Sequence, residues 1–239
     1  MKHANDAQFT HDFRPILFLI TRLAGSAMDM RSTQNWEKAG APGFVSIDLN
    51  ALRRNYRRIA RTAAPAEAAA VVKANAYGLG AERVAPALYD EGCRHFFVAQ
   101  YAEALPLRPL LPTDAQIYIL NGLQPGTEAD CAAVGIVPVL NSLEQVGRWR
   151  STAKLAGKVL PALLQFDTGM SRLGMAAEEA EALAADPALL EGIAIRYIMS
   201  HLACADESED PHNPAQAEAM RRFSSIFPGV PVSFGNSAG

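Results

Sequence analysis

An incomplete (β/α)8 barrel of the TIM type is the fold this sequence predicts, and three observations predict it. Short apolar runs alternate with helix-like stretches from residue 44 onward, the pattern of right-handed βαβ units and a parallel sheet. The runs are nearly continuous in apolar residues, as strands buried on both faces require. Polar residues close them: Lys73, Gln100, Asn121, Asn141, Asp167, His201 and Asn236 fall at or just past their C-terminal ends. In a barrel those ends converge on one mouth, where active sites lie. An open doubly wound sheet would spread them along an edge, and no run is followed by a Gly-x-Gly-x-x-Gly turn.

Each element has its own signal. Phe44–Asp48 alternates like a strand, and Asp48 and Asn50 suit the start of a helix reaching about Arg61. Seven apolar runs follow, at 68–74, 95–99, 116–120, 136–140, 159–166, 193–199 and 230–234. Helix-like stretches lie between them, near 81–91, 101–107, 126–133, 142–156, 177–185 and 213–226. The chain stops at Gly239, directly after the seventh run. A barrel needs an eighth strand to remove its edges, so a truncated barrel domain over 41–239 is expected.

Residues 1–40 are set apart from that domain as an extension, disordered or mis-started. They open polar, then carry the short run Pro15–Ile20, too short to span a bilayer. It is short for a signal-peptide core as well, although Ala24–Ala27 superficially resembles a cleavage site. Met28 or Met30 is the expected natural start.

Composition narrows the function classes. Of 239 residues, 49% are apolar and 20% charged, and the net charge is −3, which gives no basic footprint for nucleic acid and no polybasic patch for a membrane. Cys93, Cys131 and Cys204 are few, odd in number and far apart, as in a reduced cytoplasmic protein. Asp206, Glu207, Glu209 and Asp210 form an acidic run. It reads as a solvated loop, not a metal site, because no histidine stands among them at ligand spacing.

Residues 69–80, Ala-Ala-Val-Val-Lys-Ala-Asn-Ala-Tyr-Gly-Leu-Gly, are the most informative stretch. A lysine closing an apolar strand is partly desolvated, which favours the neutral amine and makes it a nucleophile for a carbonyl. The turn through Tyr77, Gly78 and Gly80 leads into a helix whose N-terminus suits an anion. A reactive amine beside an anion site fits an aldehyde phosphate; a plain surface lysine is the competing reading of this segment alone.

Four segments together resemble the alanine racemase family, pyridoxal 5'-phosphate (PLP) enzymes of fold type III. They are Val71–Gly80, Phe166-Asp-Thr-Gly-Met-Ser-Arg-Leu-Gly174, Ser200-His-Leu-Ala-Cys-Ala-Asp206 and Asn236-Ser-Ala. Val45–Asn55 is similar to the family's entry segment, and the resemblance covers 44–239. It implies that Lys73 joins PLP covalently and serves as one of two bases. It implies that Tyr77 and Ser237 hold the phosphate, with Asn236 beside the cofactor. Arg172 is implied at the PLP phenolic oxygen and the substrate carboxylate, a task that suits a planar fork. His201 is implied beneath the pyridine ring. The substrate would be the small molecule L- or D-alanine, the protein a cytoplasmic homodimer, and the expected role D-alanine supply for peptidoglycan.

Three departures from the family pattern stand out. Leu79 replaces a histidine in the glycine turn. Gln165 stands where many members carry a carbamylated lysine; its amide oxygen is expected to accept a hydrogen bond from Arg172. The family's second base, a tyrosine in a C-terminal β-domain of the other subunit, has no match, nor has its arginine on the eighth strand. The chain by itself is therefore expected to be inactive as a fragment. A non-catalytic PLP-binding protein and a broad-specificity or serine racemase are the alternative readings.

Overall fold

The computed structural model describes residues 16–19 and 45–238. Eight parallel strands form one sheet in the order β1 to β8. They are β1 (Ile16–Leu19), β2 (Glu67–Val71), β3 (His95–Val98), β4 (Gln116–Ile119), β5 (Val137–Leu140), β6 (Leu160–Gln165), β7 (Ile193–Met199) and β8 (Val232–Ser233). Strands β2 to β8 are the seven runs read in the sequence. Each of β2 to β7 is followed by helical segments, so the architecture is an incomplete (β/α)8 barrel. No hydrogen-bonded ladder joins β8 to β1 among the described residues.

Two features differ from the sequence expectation. Val45–Asp48 carries no strand, and Phe44 lies outside the described residues. Instead, Ile16–Leu19 from the excluded extension pairs in parallel with β2, in the register Ile16 to Glu67 through Leu19 to Ala70. Four apolar residues supply a β ladder as well as an alternating segment does. The alternation at 45–48 is overridden because Asp48 is committed to capping α1 (Leu49–Ala63): its Oδ1 accepts Asn50 N at 2.8 Å and Ala51 N at 3.0 Å. Met28, Met30 and Ala24–Ala27 lie outside the described residues.

Burial explains the continuous apolar runs. In β2, Ala68, Ala70 and Val72 join the layer between sheet and helices. Ala69 and Val71 point the other way, into an inner cluster with Phe97, Tyr118, Val139 and Leu163. Both faces are dry, so neither can be polar. Burying a side chain such as Phe97 or Leu163 contributes about 1.5–3 kcal/mol. The outer layer is filled by α3 (Ala81–Tyr89), α5 (Glu128–Ala133), α6 (Leu143–Ala156), α7 (Ala177–Ala185) and α8 (His212–Ile226); Val84, Leu88, Trp149, Leu183 and Phe223 are their core anchors. At the N-terminal end of the barrel, His95 bridges Tyr118 Oη and Glu67 Oε2, both at 2.9 Å. Among the described residues, no helix is long and apolar enough to cross a membrane.

Candidate active site

The strand ends build the site one loop at a time. After β2 the chain turns left-handed: Ala74, Asn75, Ala76 and Tyr77 all have φ between 51° and 55°. Such a conformation costs roughly 1–2 kcal/mol for each non-glycine residue, so something must hold it. Glu103, on the short helix α4 (Tyr101–Ala104), does much of this. Its Oε1 accepts Ala74 N at 2.7 Å, and its Oε2 accepts Ala99 N at 2.7 Å and Gln100 N at 3.1 Å. One carboxylate thereby ties the loop after β2 to the loop after β3. Asn75 Oδ1 accepts Ala81 N at 2.8 Å and fixes the start of α3. Gly78 closes the turn at φ 86°. Among the described residues the other non-glycine residue at positive φ is Ser171, beside Arg172, so this strain marks two candidate functional positions.

The loop after β6 presents Arg172. Asp167 Oδ1 accepts Gly169 N at 2.9 Å and Ser171 N at 3.0 Å. The loop returns to its start through Met175 N to Gln165 O at 2.8 Å and Asp167 N to Met175 O at 3.0 Å. Gly174, at φ 114°, is needed there: a Cβ would stand 2.7 Å from Asp167 N and Phe166 C. Gln165 Nε2 donates to Leu173 O at 3.3 Å, so the side chain holds the arginine's loop through its backbone.

The loop after β7 presents His201. Buried Gln216 of α8 donates to Thr168 Oγ1 (3.1 Å) and His201 O (2.9 Å), and accepts Ala203 N at 2.8 Å. Thr168 Oγ1 also meets Ser200 Oγ at 2.8 Å. All three polar positions of one amide are used, and the Arg172 and His201 loops are tied together.

These loops surround a cavity of about 540 Å³ at the C-terminal mouth, lined by Lys73, Tyr77, Gln165, Arg172 and His201 among others. Lys73 Nζ lies 6.0 Å from the Tyr77 ring centroid. Burial pushes the His201 imidazole down to about 4, and the charges of Arg172 and Lys73 push in the same direction. His201 is therefore neutral at pH 7, and two cations face one cavity. An anion placed between them relieves their repulsion. Asn236 and Ser237 follow β8 at the same end of the barrel, in a turn where Asn236 Oδ1 accepts Ala238 N at 3.0 Å. They are not part of the cavity lining.

Four of the six site residues expected from the sequence thus share one cavity. Glu103 and Gln216 were missed. Gln100-x-x-Glu103 after a strand is a capping pattern that offered one clue to Glu103. Gln216 sits mid-helix with no local sign.

A sequence model of the alanine racemase N-terminal domain matches residues 47–239. The chain belongs to that family. It is 58% identical over 202 residues to a catabolic alanine racemase of Rhizobium johnstonii, covering 84% of this chain and 53% of that one. It is 53% identical over 212 residues to the alanine racemase of Brucella ovis, covering 89% and 54%. The chain spans about half the length of these relatives. Among solved structures, it is similar to an alanine racemase from Bartonella henselae with covalently bound pyridoxal phosphate. That match has a TM-score of 0.78 at 45% identity and covers 81% of this chain and 56% of that one. A histidine racemase from Leuconostoc mesenteroides subsp. sake shares the fold at a TM-score of 0.71 and 25% identity, covering 80% and 52%.

The donor set suits the cofactor of this alanine racemase fold: an amine for an aldehyde, a guanidinium and a phenol for anionic oxygens, and a cavity of a cofactor's size.

Proposed function

We propose that this chain is the PLP-binding barrel of a cytoplasmic, homodimeric alanine racemase that interconverts L- and D-alanine by two-base proton transfer. The convergence of Lys73, Tyr77, Arg172 and His201 on one cavity is the observation that carries the reading. Bound there, PLP would supply an electron sink for charge developing at the substrate Cα.

The residues divide the remaining work. Lys73 holds the cofactor and then exchanges the Cα proton through Nζ on one face. Arg172 binds the substrate carboxylate by its planar fork and orients the Cα–H bond. Tyr77 and Ser237 would take the phosphate end, with Asn236 beside the cofactor. His201, neutral at pH 7, places a hydrogen-bonding ring beneath the cofactor without adding a third positive charge. The opposite face needs a second base, which the resemblance places in a segment unmatched by these residues. Racemisation is accordingly assigned to the full-length homodimer, and cofactor capture to this barrel.

The test is turnover by the full-length protein, with D-alanine and D-serine measured from the L-amino acids. Alanine turnover abolished by Lys73→Ala is expected. Serine turnover exceeding that of alanine would overturn the substrate assignment.

A further inference from the structure

Outside the cavity, the loop between β7 and α8, with the first residue of α8, brings together three side chains that no spacing rule groups. Cys204, Asp210 and His212 each offer one ligand atom, and the three atoms lie within 4.8 Å of one another. The acidic run 206–210 contains no histidine; Cys204 precedes it and His212 follows it.

Hydrogen bonds around the three side chains and between two of them shape the loop. Asn213 Nδ2 donates to Cys204 O at 3.1 Å and to Glu207 O at 2.9 Å, which draws Cys204 back against the start of α8. Gln216 holds the preceding residue by accepting Ala203 N. Asp210 Oδ1 accepts His212 N at 2.8 Å and lies 2.9 Å from His212 Nδ1. Thiol, carboxylate and imidazole are thus gathered before any ligand arrives, which lowers the ordering cost of binding one. Asp206, Glu207 and Glu209 of the same loop add negative charge that concentrates cations.

The donor types choose the ion. Calcium and magnesium require six or more oxygen-rich positions. Thiolate with imidazole selects zinc or a similar borderline-soft divalent ion, with three protein ligands and water in a fourth, tetrahedral position. Bond lengths of about 2.0–2.3 Å put tetrahedral ligand atoms about 3.3–3.8 Å apart, so pairs as far as 4.8 Å must close by up to about 1.5 Å and Asp210 Oδ1 and His212 Nδ1, now 2.9 Å apart, must separate slightly; rotation of the exposed imidazole supplies both movements.

We propose that Cys204, Asp210 and His212 form a zinc site that pins the loop carrying His201.

Metal-stripped full chain titrated with cobalt(II), then with zinc and counted by elemental analysis, tests this. One equivalent of zinc is expected, with a near-ultraviolet thiolate-to-cobalt band that Cys204→Ser removes. His212→Ala and Asp210→Asn should each weaken binding at least tenfold; the latter keeps the turn-closing acceptor. Amide exchange over 201–212 should slow on adding zinc. Absence of the thiolate band, or zinc binding unchanged by Cys204→Ser and His212→Ala, would overturn the proposal. The second outcome would assign the metal to residues such as His3 and His11.

Discussion

The carboxylate of Glu103 accepts the backbone N–H of Ala74, the residue after Lys73, at 2.7 Å. Its other oxygen binds the loop after β3, so the direction in which the lysine leaves its strand depends on a residue 30 positions away. Glu103→Ala leaves three amides without that acceptor and should cost about 2–3 kcal/mol. At this chain size that lowers Tm by roughly 4–12 °C. Calorimetry measures it, and Glu103→Gln, which keeps one acceptor oxygen, should lose less.

Gly174 is the hinge of the Arg172 loop. An alanine there meets backbone at 2.7 Å in a conformation with φ of 114°. Gly174→Ala should therefore destabilise by more than about 2 kcal/mol. Amide exchange over 167–175 should rise more than elsewhere. A uniform rise would mean that the loop is not closed locally.

Gln216 couples two loops through one buried amide. Gln216→Leu keeps most of the volume but removes the bonds to Thr168 Oγ1, His201 O and Ala203 N, and should cost about 2–4 kcal/mol. Double-mutant cycles with Thr168→Val should show coupling, because both substitutions break the same bond.

Acid should weaken the fold through His201. Its folded pKa of about 4 lies below the ordinary 6.5, so the unfolded chain gains a proton first as pH falls. The stability this neutral ring contributes is whole above pH 6.5 and is lost between about 6.5 and 4. The loss is on the order of 2 kcal/mol after allowance for partial exposure. His95, also lowered by burial, adds to it in the same direction. Denaturant midpoints measured from pH 7 to 4 should fall, and His201→Asn should flatten that slope.

The sequence was most legible where physics acts on neighbours. Strands β2 to β8 showed because both their faces are dry, and α1 showed through its cap at Asp48. Lys73 and His201 showed because barrel topology gathers strand ends, and Arg172 showed only through the resemblance of residues 166–174 to the family. Ile16–Leu19 showed as a short apolar run but was set apart with residues 1–40, because the polar sequence around it carries no βα rhythm. Glu103 and Gln216 were hidden because they bind backbone far along the chain. Cys204, Asp210 and His212 were hidden because a folded loop, not a spacing rule, brings them together.

The central claim is that this barrel builds a PLP site on Lys73. Incubating the purified chain with PLP, reducing with borohydride and mapping the peptides tests it directly. The account predicts one stoichiometric adduct, on Lys73 alone and lost in Lys73→Ala. Weak labelling scattered over other lysines, with none at Lys73, would contradict it.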